Sequence, residues 1–65
     1  MKLAEKLARK IRKLRGQQVQ EEFARKLGIS RATLNRLENA SQNITLKTLN
    51  QIAKSLGCDI DDLFD

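Results

Sequence analysis

The sequence has no proline, histidine, tryptophan or tyrosine, and a single cysteine, Cys58, among its 65 residues. One cysteine cannot build a disulfide framework, and without histidine the usual zinc spacings are excluded. A reducing, cytoplasmic compartment fits this usage. No apolar run approaches the ~18–20 residues that a membrane span needs. The basic N-terminus lacks the apolar stretch of a secretory signal. No nucleophile–base pair and no metal set appears, so an enzymatic role has no support and no cofactor is expected. Asp59, Asp61, Asp62 and Asp65 lack the loop glycine and terminal glutamate of a calcium loop, and read as capping and solubilising residues. Cys58 has no histidine to activate it and reads as an inert small residue.

What remains is rich in Leu, Ala, Lys, Glu, Gln and Arg, which favours an all-helical fold. The length allows one domain, residues 1–65, with a small core. Thirteen Lys and Arg oppose eight Asp and Glu, a net charge of +5. The excess is concentrated in residues 1–16, at +6, while residues 42–65 carry −2. Such asymmetry points one face at an anionic partner and leaves an acidic opposite end. A soluble domain with a polarised surface is the plainer reading.

Periodicity divides the chain into five helices. Leu3, Leu7, Ile11 and Leu14, with Ala4 and Ala8, mark a first helix over about residues 2–15, ended by Gly16. Phe23, Ala24 and Leu27 mark a second over roughly Gln20–Leu27, with Glu21 and Glu22 at its favourable N-terminus. Ser30 caps a third, about Arg31–Glu38, anchored by Leu34 and Leu37; Asn39, tolerant of the left-handed conformation, stops it. Thr45 caps a fourth, whose buried face is Leu46, Leu49, Ile52, Ala53 and Leu56, with Gly57 as its end. Asp59 caps a short fifth, with Ile60, Leu63 and Phe64 facing the core.

The stretch QEEFARKLGISRATLNRLEN, Gln20 to Asn39, meets a specific physical demand. Two short helices at about 90–120° need a tight turn between them. Ala24 keeps the crossing close, Gly28 supplies positive φ, and Ile29 plugs the turn. Leu34 and Leu37 anchor the second helix to the first. This is a helix-turn-helix.

From about Ile11 to Phe64 the chain resembles the Cro and λ-repressor type, or Xre-type, helix-turn-helix family. The phrases carrying the resemblance are QEEFARKLGISRATLNRLEN, ITLKTLNQIAKSLG and DIDDLF. The resemblance implies a compact five-helix bundle whose third helix enters the DNA major groove. It also implies dimers on near-palindromic operators, formed here through the fourth and fifth helices or the exposed face of the first. The chain departs from the family in two places. Gln18 and Val19 stand before Gln20 in a segment about two residues shorter than usual, with Val19 placed to staple against Phe23. Ala40, Ser41 and Gln42 replace the common loop glycine and basic residues.

The third helix presents Arg31, Ala32, Thr33, Asn35 and Arg36 for base contact. Arginine can donate bidentately to guanine and asparagine can pair with adenine, while Ala32 and the Thr33 methyl suit a thymine methyl. The matching family positions read bases; a solvated helix face is the competing reading. Gln20 and Asn39 match phosphate-contacting positions, and Ser41 and Asn43 can donate to phosphate as well. The family often pairs the acid matching Glu38 with a first-helix arginine, here Arg12 or Arg15, expected as a weak surface pair. A membrane-surface role for the basic first helix is disfavoured, because its apolar face lacks aromatics and is needed for the core. The function expected is a DNA-binding transcriptional regulator, such as a repressor, acting by occlusion or recruitment at an operator. The alternative is an antitoxin-type or restriction–modification controller protein, whose role includes binding a partner protein such as a toxin.

Overall fold

The computed structural model describes residues 3–41 and 43–65. Four α-helices follow one another: α1 (Leu3–Arg15), α2 (Gln20–Leu27), α3 (Arg31–Glu38) and α4 (Leu46–Leu56). The expected fifth helix is a 3₁₀ helix, Ile60–Phe64, so the described residues form four α-helices and not five. Five residues suit the tighter winding, which is common in such short pieces. The Asp59 N–H donates to Asp62 Oδ2 at 3.1 Å and fastens its start. Residue 2, the expected start of the first helix, and Gln42 lie outside the described residues.

The core joins Leu7 and Ile11 of α1, Phe23, Ala24 and Leu27 of α2, Leu34 and Leu37 of α3, Ile52 and Ala53 of α4, and Leu63. Ile29, Leu49, Leu56, Ile60 and Phe64 pack around it, half-buried. α1 packs on α3 and the 3₁₀ helix, α2 on α3 and α4.

Three leucines expected or available for the core are solvent-facing instead: Leu3 at 59% exposure, Leu14 at 39% and Leu46 at 65%. The inward line of α1 runs through Leu7, Ile11 and Arg15 at intervals of four, with Ala8 beside it. Leu14 lies off that line, and Leu3 lies in the first turn, beyond the packed section. Leu46 likewise sits in the first turn of α4, outside the contact with α2 and the 3₁₀ helix.

The connection between α1 and α2 is closed by polar bonds and not by the expected staple. Val19 is itself the N-cap residue of α2, extended and 58% exposed, so its side chain does not cover Phe23. Arg15 Nη1 donates to the Gln18 carbonyl at 2.9 Å, and Lys26 Nζ to Gln18 Oε1 at 2.7 Å. The α3 and α4 caps form as expected: Thr33 N–H donates to Ser30 Oγ at 3.0 Å and Thr48 N–H to Thr45 Oγ1 at 3.1 Å.

The α2–α3 turn needs Gly28 for its φ of +72°. There the Gly28 N–H donates to the Arg25 carbonyl and the Ile29 N–H to the Ala24 carbonyl, at 3.1 and 3.0 Å. α3 ends with the same bond pair, the Ala40 N–H to the Leu37 carbonyl and the Ser41 N–H to the Arg36 carbonyl. The left-handed residue there is Ala40, at φ +59°, and not Asn39, whose φ is −99°. Asn39 still closes the helix, since its Nδ2 donates to the Asn35 carbonyl at 2.8 Å.

A non-glycine left-handed residue costs of order 1 kcal/mol, partly offset by its smaller unfolded-state entropy. Ala40→Gly should therefore stabilise by about 0.5–1 kcal/mol, seen as a thermal midpoint a few degrees higher. Gly28→Val should do the reverse, because it adds left-handed strain and drives a Cβ to 2.5 Å from Gln51 Nε2. Ala24→Leu should cost ~1–3 kcal/mol by overpacking the crossing. A lower midpoint for Ala40→Gly would contradict the turn geometry.

Candidate nucleic-acid interface

α3 has two faces. Leu34, Leu37 and Glu38 are buried, whereas Arg31, Ala32, Asn35 and Arg36 are exposed. Thr33 is half-buried, with its Oγ1 2.9 Å from Ser30 Oγ. Asn35 Oδ1 accepts from Asn39 Nδ2 at 3.2 Å, which orients both amides along the end of the helix. Among the described residues, Arg31 and Arg36 have no ion-pair or hydrogen-bond partner for their guanidinium groups. Two unspent arginine forks therefore stand on one exposed face beside a small residue and an amide.

Glu38 is the one buried charged residue among those described, at 6% exposure. Arg15 holds it bidentately, Nε to Oε2 at 2.6 Å and Nη2 to Oε1 at 3.0 Å. Gln20 Nε2 donates to the same Oε1 at 3.0 Å. The partner is Arg15 and not Arg12, and the pair is a partly buried tie in place of the weak surface pair expected. Arg15 reaches it because Arg15 continues the Leu7–Ile11 line on the inward side of α1. The tie brings the C-termini of α1 and α3 to the N-terminus of α2.

Gln20 thus sits at the start of α2 with its amide committed to Glu38, half-buried, while its backbone lies at the helix N-terminus, where anions are favoured. Asn39 lies exposed at the far end of α3. Ser41 is half-buried and its Oγ accepts from the Asn43 N–H at 3.2 Å, so these two loop residues brace each other. The loop polarity expected to face phosphate is in part internal bracing.

Sequence reasoning missed a second brace. The Leu27 carbonyl, at the C-terminus of α2, accepts from Ser55 Oγ at 3.0 Å and Gln51 Nε2 at 3.4 Å, and Gln51 also donates to Ser55 at 3.1 Å. α4 thereby holds the helix-turn-helix turn from outside. Gln51 and Ser55 lie four apart, flanking the buried Ile52 and Ala53; that polar pair at the margin of an apolar stripe was the available sign. Lys47 and Lys54 line the groove between α4 and this turn with Thr33.

The described residues contain no group of acidic, cysteine or histidine side chains able to hold a metal. None of their helices is long and apolar enough to cross a membrane. Cys58 is free and half-buried against the core.

Removing one partner of a buried pair costs ~3–5 kcal/mol, and less where the survivor can reach water. Arg15, at 25% exposure, can rehydrate when Glu38 is removed, but Glu38 cannot when Arg15 is removed. Arg15→Met should therefore destabilise more than Glu38→Gln in urea titrations at neutral pH. A double-mutant cycle should return a coupling above the ~0.2–1 kcal/mol of exposed pairs. Equal, small losses would mean that the tie is only a surface contact.

Comparison with known proteins agrees with this geometry. An uncharacterized HTH-type transcriptional regulator of Methanocaldococcus jannaschii is 42% identical over 45 residues, covering 69% of this chain and 68% of that one. No solved structure matches the chain. The helix-turn-helix family model, of the Cro/C1 type, matches residues 6–63, and the chain belongs to that family.

Proposed function

We propose that the chain, as a single helix-turn-helix domain, is a sequence-specific DNA-binding transcriptional regulator that lays α3 in the major groove. The observation that carries this reading is the exposed face of α3, where Arg31 and Arg36 stand unpaired beside Ala32 and Asn35. An arginine fork matches guanine O6 and N7, and an asparagine amide matches adenine N6 and N7. Ala32 and the Thr33 methyl supply apolar contact to thymine. Gln20 at the start of α2 and Asn39 at the end of α3, with Ser41 and Asn43, set the register on the phosphates. No covalent step is involved; regulation follows from occupying an operator. Membership of the family and the regulator named among its relatives support the same reading. Two copies would read a near-palindromic site with half-sites ~34–36 Å apart.

Selection of bound duplexes from a random pool tests this. The unmodified chain should return a motif with two-fold symmetry. Arg31→Ala should relax one position per half-site, by about 1–3 kcal/mol of discrimination, without depressing binding to all sequences equally. Asn39→Ala should weaken every sequence alike. A motif that stays identical after Arg31, Asn35 and Arg36 are each replaced by Ala would overturn base reading by α3. A partner-binding role would then take its place.

A further inference from the structure

The connection from Asn39 to Thr45 contains no charged residue. Cations nevertheless reach the end of α3, because α1 supplies them. Arg9 and Arg12 of α1 line a surface groove with Ala8, Glu38, Asn39 and Ala40. Both arginines are exposed, and neither has an ion-pair partner among the described residues. Three apart on one helix, they lie on a shared face with Cβ atoms about 5–6 Å apart. The acid on the floor, Glu38, is already matched by Arg15 and buried, so it does not repel an incoming anion. Glu5 on the rim is the other acid, and two arginines outnumber it. Small residues, Ala8 and Ala40, leave the groove open between α1 and the tip of α3.

From this arrangement we infer that Arg9 and Arg12 clamp a DNA backbone phosphate beside the C-terminal end of α3, so that α1 provides the anchor that the uncharged loop lacks. The inference rests on the reading of the chain as a DNA-binding regulator and adds a second contact region to it. Guanidinium forks hold phosphate oxygens bidentately, which makes the contact geometric as well as electrostatic. It carries no sequence information. Its contribution is register: with Gln20 at the start of α2, it holds the protein on the backbone from both ends of the helix-turn-helix.

The test measures binding of the full chain to its selected duplex and to a scrambled one, between about 50 and about 200 mM salt. Arg9→Gln with Arg12→Gln should reduce the log–log salt slope by about 0.9, the loss of one phosphate contact. Across that fourfold salt range the double variant should lose roughly three- to fourfold less affinity than the parent, equally on both duplexes. Lysine at both positions should keep the slope. Lys10→Gln with Lys13→Gln, in a neighbouring groove that Arg9 also borders but away from Asn39, removes the same charge and should leave the slope close to that of the parent. Thermal melts check that each variant folds. Equal slope losses in the two glutamine doubles would overturn the clamp and leave only diffuse attraction. An unchanged slope in the arginine double, with specific binding retained, would overturn the clamp but not the regulator reading. Failure of the unmodified chain to bind any duplex would overturn both.

Discussion

The bidentate bond between Arg15 and Glu38 is the constraint on which the rest of the arrangement turns. It joins the last residue of α1 to the last residue of α3, and Gln20 adds the first residue of α2 to the same carboxylate. Three helix termini therefore meet at one point. Burying a charge is costly, and even a well-made pair often adds little net stability over an apolar substitute. What it adds here is geometry. A carboxylate with three donors accepts few alternative placements of the helices that carry them, so α3 is held at one angle to α1 and α2. The exposed face of α3 inherits that angle.

A core of this size leaves part of the placement of α3 to polar bonds. Ten buried side chains from five elements form the cluster, and two of these are alanines. Polar bonds between elements supply the remaining definition. Arg15 closes the short α1–α2 connection through the Gln18 carbonyl, and Ser55 and Gln51 hold the Leu27 carbonyl from α4. These bonds lie around the helix-turn-helix and leave Arg31 and Arg36 of α3 without partners among the described residues. The surface that would meet DNA is thus left with unspent donors, while the support behind it is satisfied: among the described residues no buried side-chain polar atom lacks a partner.

Charge follows the same division. Acidic residues gather in the C-terminal segment, where Asp62 serves as a local brace for the 3₁₀ helix. Basic residues gather on α1, whose inward line spends only Arg15. Among the described residues the other cations of α1 have no ion-pair partner, and they add to the long-range attraction of an anionic partner.

Much of this was legible in the residues themselves. The limits of α2, α3 and α4, the caps Ser30 and Thr45, and the positive φ of Gly28 follow from local chemistry, because each depends on residues within one turn of it. The outward set Arg31, Ala32, Asn35 and Arg36 follows from the period of Leu34 and Leu37, although which bases they meet does not. Tertiary packing decided the rest. It excluded Leu3, Leu14 and Leu46 from the core, because an apolar stripe says which way a helix faces but not how far its neighbour extends. It chose Arg15 over Arg12 for Glu38, and placed the left-handed turn on Ala40 and not on Asn39. It also brought Ser55 and Gln51 to a carbonyl over 20 residues away. Local periodicity sets the direction of each side chain about its own helix axis; only the crossing of helices determines what that side chain meets.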